Sequence, residues 1–343
     1  HLLRGLACRG HDVLLFTKRG YAFRKGKMDT IELEEGRIPS NKLDSLSALY
    51  LDGVQRARDS GYDDIDVVIS FGLGSAIPSL YVKHFFSAPM LLGLRSYPPD
   101  NVIRKGRVSE AVHRGVTNVY LWGALQSADR VVMQTDAQRN RLVWNQPIGQ
   151  EKTAVIRNNI RGSLEEGTDS TQAHELLFVG TLSYRKGIDT LLKSLSSLAS
   201  STNVQLHVAG EGPMCEKALS YAEENGLRDR VTFHGYVQDV KEMMRKTDLV
   251  VIPSRFDSFP NVGLEAMEVG TPFITSDIED LRSAFGKSTQ YVPPGDPEQL
   301  AAKIDSLQRS GPYRTLTEQC LTHRKKFRFD WIERFENEII KIV

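Results

Sequence analysis

Residues 249–276, LVVIPSRFDSFPNVGLEAMEVGTPFITS, set the reading of the whole chain. The run Leu249–Ile252 is short and wholly apolar, which predicts a strand buried on both faces of a parallel sheet. Pro253 and Ser254 end it, and a polar loop follows with Asp257, Ser258, Phe259 and Pro260. Asn261 stands where a helix N-cap belongs, ahead of Val262, Leu264, Ala266 and Met267. Gly270 closes that helix, and Pro272–Thr275 begins another strand. The order is therefore strand, loop, helix, strand. In open parallel sheets ligands gather at the carboxyl edge of the strands, and anions favour the helix N-termini there. Asp257 and Glu265 lie eight residues apart, the first in the loop and the second inside the helix. Packing is a poor reason for a carboxylate between Leu264 and Ala266. Accepting hydrogen bonds from ligand hydroxyls is a better one.

The same alternation continues on both sides. Six apolar runs recur with helices between them: Leu176–Val179, Val204–Ala209, Val231–His234, Leu249–Ile252, Pro272–Thr275 and Gln290–Val292. They predict a complete doubly wound unit over residues 175–309. Its first loop, Gly180–Gly187, places Arg185 and Lys186 at the start of a helix near Ile188. Two cations at a helix N-terminus suit a diphosphate, and a solvated basic turn is the plainer alternative. In the second loop, Gly210 and Gly212 permit a sharp turn and close approach of a ligand. Tyr236 and Val237 follow the third strand, with Tyr236 either stacking on a base or half-buried as a wall residue. The tail has apolar residues at Phe329, Trp331, Ile332, Phe335, Ile339 and Ile340, which is helical spacing and predicts packing.

Together these motifs resemble glycosyltransferase family 4, retaining enzymes of the GT-B fold, in its polysaccharide-assembly type. Glu265 matches the second acid of that family's E-x7-E signature, and Asp257 stands, one carbon shorter, where the first usually is. Lys186 matches the lysine of "GRL…KG"; Thr181 occupies the place of its arginine, and Arg185 is expected to substitute. Gly210-Glu-Gly212-Pro213 resembles "G-x-G-P", and Gly235-Tyr236-Val237 falls where the family holds the nucleobase. The resemblance implies an α/β chain of two facing Rossmann-like domains with a cleft between them. It implies transfer of a sugar from a nucleotide-diphosphate sugar to a glycan or lipid-linked acceptor, with no metal and no cofactor. Glu265 would accept from ribose hydroxyls and Asp257 from the sugar, while Lys186 and Arg185 meet the diphosphate. The backbone N–H groups of the stretch from Phe259 to Val262 would hold phosphate and sugar. Catalytic expectations fall on Asp257, Lys186 and Arg95. The rivals are an epimerase or phosphorylase on the same fold, or a nucleotide-sugar-binding protein without turnover.

The first half carries fewer signals. His1–Gly10 reads as the tail of a helix ended by Gly10, and Asp12–Thr17 as a strand. A doubly wound unit normally supplies a strand and glycine-rich loop before such a helix, so these are expected to be missing from this chain. Further elements are expected as a helix over Ser45–Arg58, a strand at Asp66–Ser70, a loop at Phe71–Ser75 and a helix through Phe86. Then come a strand at Pro89–Leu94, a helix over Val116–Ala128, a strand at Ala128–Met133, a helix from Thr135 and a strand at Lys152–Ile156. Arg95 follows the Pro89–Leu94 strand, where it either pairs with phosphate or is a surface residue. Asp64-Ile-Asp66 is a D-x-D pattern, but it sits at the amino end of a strand and reads as a solvated cap. Arg104, Lys105, Arg107, His113 and Arg114 form a basic segment. Either it meets a phosphate-linked acceptor or an anionic membrane surface, or it is a solvated helix face. Boundaries are expected at residues 1–160 for the first domain, 161–174 for a polar linker, 175–309 for the second domain and 310–343 for helices returning to the first.

Composition excludes several classes. With 343 residues the chain is long enough for two domains, and a net charge of +1 gives no field for nucleic acid. Cys8, Cys215 and Cys320 are odd in number and far apart, with no metal or disulfide spacing. They point to a reducing, cytoplasmic setting, with peripheral contact on the inner face of the membrane as a further expectation. No apolar run approaches the roughly 20 residues of a membrane span.

Overall fold

The structure is a computed structural model that describes residues 2–17, 28–32, 64–96, 107–167, 169–198 and 202–343. The chain divides into two compact units: His1–Gln134, Gln138–Ile156 and Asp330–Val343 form the first, and Thr135–Ala137 with Arg157–Phe329 the second.

The second unit is a six-stranded parallel sheet. In chain order it runs β7 (Glu175–Val179), α5 (Ile188–Ser197), β8 (Gln205–Ala209), α6 (Cys215–Glu224), β9 (Val231–Gly235) and α7 (Val240–Arg245). It continues with β10 (Leu249–Ile252), α8 (Asn261–Val269), β11 (Phe273–Ser276), α9 (Glu279–Phe285), β12 (Gln290–Val292), α10 (Pro297–Leu307) and α11 (Ser310–His323). The strands lie in the order β12-β11-β10-β7-β8-β9, every neighbouring pair parallel. All four residues of β10 are buried, as a central strand covered on both faces requires. Alternation along β7 divides the core in two. Leu176 and Phe178 pack with Leu191, Leu195, Ile304 and Tyr313 on one face. Leu177 packs with Val250, Leu264, Met267 and Phe273 on the other. Each such leucine contributes about 1.5–3 kcal/mol by its burial. The polar residues 161–174 are strapped onto this unit. Glu165 N–H donates to Glu268 O at 2.9 Å, Arg245 grips the Glu165 carboxylate twice at 2.7 Å, and Ala173 N–H donates to Leu307 O at 3.0 Å.

The first unit contains α1 (Leu2–Cys8), β1 (Val13–Thr17), β2 (Met28–Glu32), β3 (Val68–Phe71), α2 (Ala76–Phe86) and β4 (Met90–Leu94). After these come α3 (Arg107–Ser127), β5 (Arg130–Met133), α4 (Asp136–Asn145, in this unit from Gln138 onward), β6 (Thr153–Val155) and, from the chain's end, α12 (Trp331–Ile340). Strands β3-β4-β5-β6 form one parallel sheet, and β1-β2 pair separately in parallel. Met90, Leu92 and Leu94 face Leu121 and Leu125 of α3, while Leu91 faces Leu2, Leu6 and Phe335 of α1 and α12. Arg9 pairs with Asp330 and Glu336, fastening the first helix to the last.

Three differences from the sequence reading stand out. Strand β2 was not expected, because MDTIE has no apolar run. Helix α3 begins at Arg107 rather than Val116, absorbing part of the basic segment. The helix expected over residues 45–58, and Arg104 and Lys105, lie outside the described residues.

Candidate functional site

Strand order reverses between β7 and β10, so the loops that follow them leave side by side at the carboxyl edge. Gly187, which closes the loop after β7, has φ 72°, and a Cβ there would stand 2.0 Å from Pro253 O, the start of the loop after β10. Only glycine allows that approach. The loop after β8 joins the same edge. Gly180 N–H donates to Ala209 O at 3.0 Å, Leu182 N–H to Glu211 O at 2.9 Å, and Gly210 N–H to Gly235 O at 2.7 Å. Gly210 (φ 140°) leaves no room for a side chain, since its Cβ would meet Gly180 O at 2.0 Å. Gly212 sits in the same loop, against the Leu182 backbone.

These loops bring Arg185, Lys186 and Asp257 together. Lys186 Nζ lies 2.5 Å from Asp257 Oδ2, with both side chains mostly buried, and Arg185 Nη1 lies 3.7 Å from Asp257 Oδ1. Arg185 also donates to Phe256 O at 3.1 Å. The Asp257 carboxylate is oriented independently of the cations: Ser254 Oγ donates to Oδ2 at 3.2 Å, and Ser258 N–H to Oδ1 at 3.1 Å. A pair of cations around one oriented carboxylate can exchange a protein partner for a ligand anion without rebuilding the loop.

Helix α8 opens this edge on its other side. Its N-cap is Pro260, in extended conformation (φ −66°, ψ 125°), so Asn261 is the first helical residue and not the cap. The proline ring fixes φ there, and the Asn261 side chain accepts from Asn158 Nδ2 at 2.9 Å instead of from its own helix. Proline has no N–H, so the expected backbone donors reduce to Phe259, Asn261 and Val262. Gly263 N–H turns back to Pro260 O at 3.2 Å. The Phe259 ring is core, edge-on to Phe285 at 5.3 Å, so only its backbone is available to a ligand.

Glu265 lies further along α8 and is half-buried. Among the described residues it has no hydrogen-bond or ion-pair partner, since the nearby Lys241 pairs with Glu268. Burial is the main reason its carboxyl is pushed above the usual range; the fields of Lys241 and Arg161 pull it back and that of Glu268 adds to the rise.

The remaining expectations are scattered. Val237 is half-buried against the core, and Tyr236 is 78% exposed, which overturns the half-buried wall reading. Arg95 belongs to the first unit, exposed at the end of β4, its carbonyl accepting from Gln138 Nε2 at 3.4 Å. Asp64 and Asp66 are exposed before β3. No group of three or more metal-ligating side chains occurs among the described residues.

The sequence reading missed Arg255. Its guanidinium takes Asp189 in a bidentate grip at 2.7 and 2.8 Å, and donates to Thr190 Oγ1 at 2.8 Å and Tyr184 O at 2.9 Å. It also stacks 4.1 Å over the Tyr184 ring. The only sequence signal was its position two residues before Asp257.

Residues 173–310 match the family model for group 1 glycosyl transferases. This segment is a group 1 glycosyltransferase domain. An uncharacterized glycosyltransferase of Methanocaldococcus jannaschii is 33% identical over 136 residues, 38% of this chain and 35% of the relative. A glycogen synthase of Mycobacterium tuberculosis is 26% identical over 274 residues, 78% of this chain and 66% of the relative. The chain thus spans about a third to two thirds of the length of these relatives. Among solved structures, sucrose-phosphate synthase from Thermosynechococcus elongatus superposes with a TM-score of 0.79 at 21% identity, covering 99% of this chain and 91% of that one. Anabaena HepE, in complex with UDP and glucose, gives 0.77 at 17%, covering 100% and 94%. The fold is GT-B. Among the described residues no helix is long and apolar enough to cross a membrane.

Proposed function

We propose that the chain is a retaining glycosyltransferase that moves a hexosyl or N-acetylhexosaminyl group from a nucleotide-diphosphate sugar to a glycan or lipid-linked acceptor. The role we assign it is in cell-surface polysaccharide synthesis. The observation that carries this reading is the meeting of Lys186, Arg185 and Asp257 at the switch point of a parallel sheet, with Glu265, unpartnered among the described residues, in the adjoining helix. The group 1 domain over residues 173–310 and a structural neighbour holding UDP and glucose support it.

In this reading Glu265 accepts from the ribose hydroxyls. Lys186 and Arg185 neutralise the diphosphate as the bond from the anomeric carbon to its oxygen breaks. The backbone N–H groups of Asn261 and Val262 face phosphate at the positive end of α8. Asp257 accepts from hydroxyls of the sugar. The acceptor hydroxyl adds to the anomeric carbon on the face the diphosphate leaves, and its proton passes to a diphosphate oxygen. Two cations and a helix dipole supply the charge stabilisation, and no metal is required. Within the first unit, Arg95 is assigned to a phosphate, and Arg114 of α3 to an acceptor phosphate or the membrane surface that carries it.

The test is nucleoside diphosphate release from UDP-, GDP- and ADP-sugars with glycan and lipid-linked acceptors, followed by NMR of the product's anomeric centre. Release with retained configuration is expected. No release from any donor refutes the activity, and an inverted product refutes the retaining course.

A further inference from the structure

Arg255 is the most heavily bonded cation at this edge, and no role described so far uses it. Its position is specific. It lies two residues before Asp257, and its own N–H donates to Arg185 O at 2.8 Å. Its side chain reaches residues on both sides of the cationic pair: Tyr184 O at 2.9 Å before it, and Asp189 and Thr190 after it at 2.7–2.8 Å. The guanidinium therefore spans the two loops that must hold Lys186 against Asp257. Arg185 returns the strap by donating to Phe256 O at 3.1 Å.

The partner is as informative as the strap. Asp189 is in the first turn of α5, the helix whose N-terminus follows Arg185 and Lys186. An acid in a first turn suits the helix dipole, but here it shares the end toward which a diphosphate would be drawn. Left bare, it would repel that ligand. Arg255 covers both carboxylate oxygens, so the charge felt from this turn falls to near zero while Lys186 and Arg185 remain attractive.

We propose that Arg255 is the positioning residue of the donor site: it fixes the spacing of the Lys186–Asp257 pair and screens the diphosphate from Asp189. This rests on the donor reading above and adds a residue to it. The two parts have different signatures. A strap alone makes every substitution at Arg255 or Asp189 weaken binding. A screen makes the two residues act in opposite directions on an anionic ligand.

The experiment measures UDP binding by calorimetry, with GDP and ADP as alternatives, and melting temperature in parallel. Arg255→Ala is expected to weaken nucleotide binding about tenfold, the effect of one uncompensated charge at roughly 10 Å in partly screened surroundings. Arg255→Lys keeps the charge without the fork and is expected to lose less. Asp189→Asn is expected to melt lower yet bind at least as tightly as the unaltered chain. Arg255→Ala with Asp189→Asn is expected to recover most of the affinity that Arg255→Ala loses. Should Arg255→Ala fail to fold, Asp189→Asn and Arg255→Lys still decide. Undiminished binding in Arg255→Ala, weakened binding in Asp189→Asn, or Arg255→Lys as poor as the alanine variant overturns the proposal. If the unaltered chain binds none of the three nucleotides, the donor reading falls and takes the proposal with it.

Discussion

Replacing Glu265 by glutamine is expected to stabilise the protein and weaken its ligand binding at once. The side chain is half-buried, has no hydrogen-bond or ion-pair partner among the described residues, and burial raises its pKa. The folded chain therefore holds this proton more tightly than the unfolded chain does. The group favours folding below the ordinary carboxylate pKa, and that contribution is lost as pH rises through the raised value. At neutral pH the ionised Glu265 is a cost to the fold, and glutamine, of the same shape, removes it. Donor binding moves the other way. A carboxylate accepting ribose hydroxyls is worth about 1.5–3 kcal/mol per charged hydrogen bond, so UDP affinity should fall by about ten- to a hundredfold. Thermal melts at pH 5 and pH 8 read the first effect, and the gain should be larger at pH 8. Calorimetry with UDP reads the second, and pyrophosphate, which has no ribose, should bind equally to both chains. Unchanged UDP affinity refutes the assignment of Glu265, and a lower melting temperature at pH 8 refutes its being an unsatisfied buried charge.

Lys186→Ala removes the cation 2.5 Å from Asp257 and should weaken UDP by at least about tenfold, with release from a UDP-sugar falling further; equal affinity by calorimetry counts against its diphosphate role. Asp257→Asn leaves Lys186 free for phosphate, so UDP should bind at least as well while transfer drops by about ten- to a hundredfold; weaker UDP binding contradicts the partner exchange. Turnover should survive EDTA, and loss on chelation that manganese or magnesium restores contradicts charge stabilisation by Lys186 and Arg185. Gly187→Ala forces a left-handed alanine against Pro253 O and should cost at least about 1–3 kcal/mol, read as a lower denaturant midpoint.

What could be read from the sequence was whatever local pattern determines. Leu249–Ile252 is a strand because four consecutive apolar residues must be buried on both faces of a sheet, and all four are. Lys186 and Asp257 were each visible as charged residues beside glycine or proline turns at the carboxyl edge. Their contact follows from strand order, because β7 and β10 become neighbours and so bring together two side chains 71 positions apart. The misses are tertiary or lie within a turn. MDTIE has only Met28 and Ile31 as large apolar residues, so β2 declares itself only by pairing with β1. The N-cap rule favoured Asn261, yet Pro260 before it had already set the extended φ and ψ of a cap. Arg255 read as a surface loop residue because Asp189 and Thr190, its partners, are 66 and 65 positions away.

The acids around this edge fall into two kinds, and the difference separates scaffold from site. Asp189 is held by Arg255 and Glu268 by Lys241. Removing either cation would strand a carboxylate that the fold has partly withdrawn from water, which is the costly way to break such a pair. These pairs hold the loops and helices in place. Asp257 is intermediate: it has Lys186, but Ser254 and the Ser258 N–H hold it in the same orientation when the lysine turns away. Glu265 is the other kind, partly buried and, among the described residues, with neither cation nor donor attached. Folding alone gives no reason to keep such a group, because a glutamine or leucine would fit the helix at less cost. A ligand that brings its own hydroxyl donors does give a reason. In the proposed donor role the same ligand also needs an anion site, for which Arg185 and Lys186 supply the cations at the strand switch point. A molecule with a diol at one end and a diphosphate at the other satisfies both, and that is the shape of a nucleoside diphosphate.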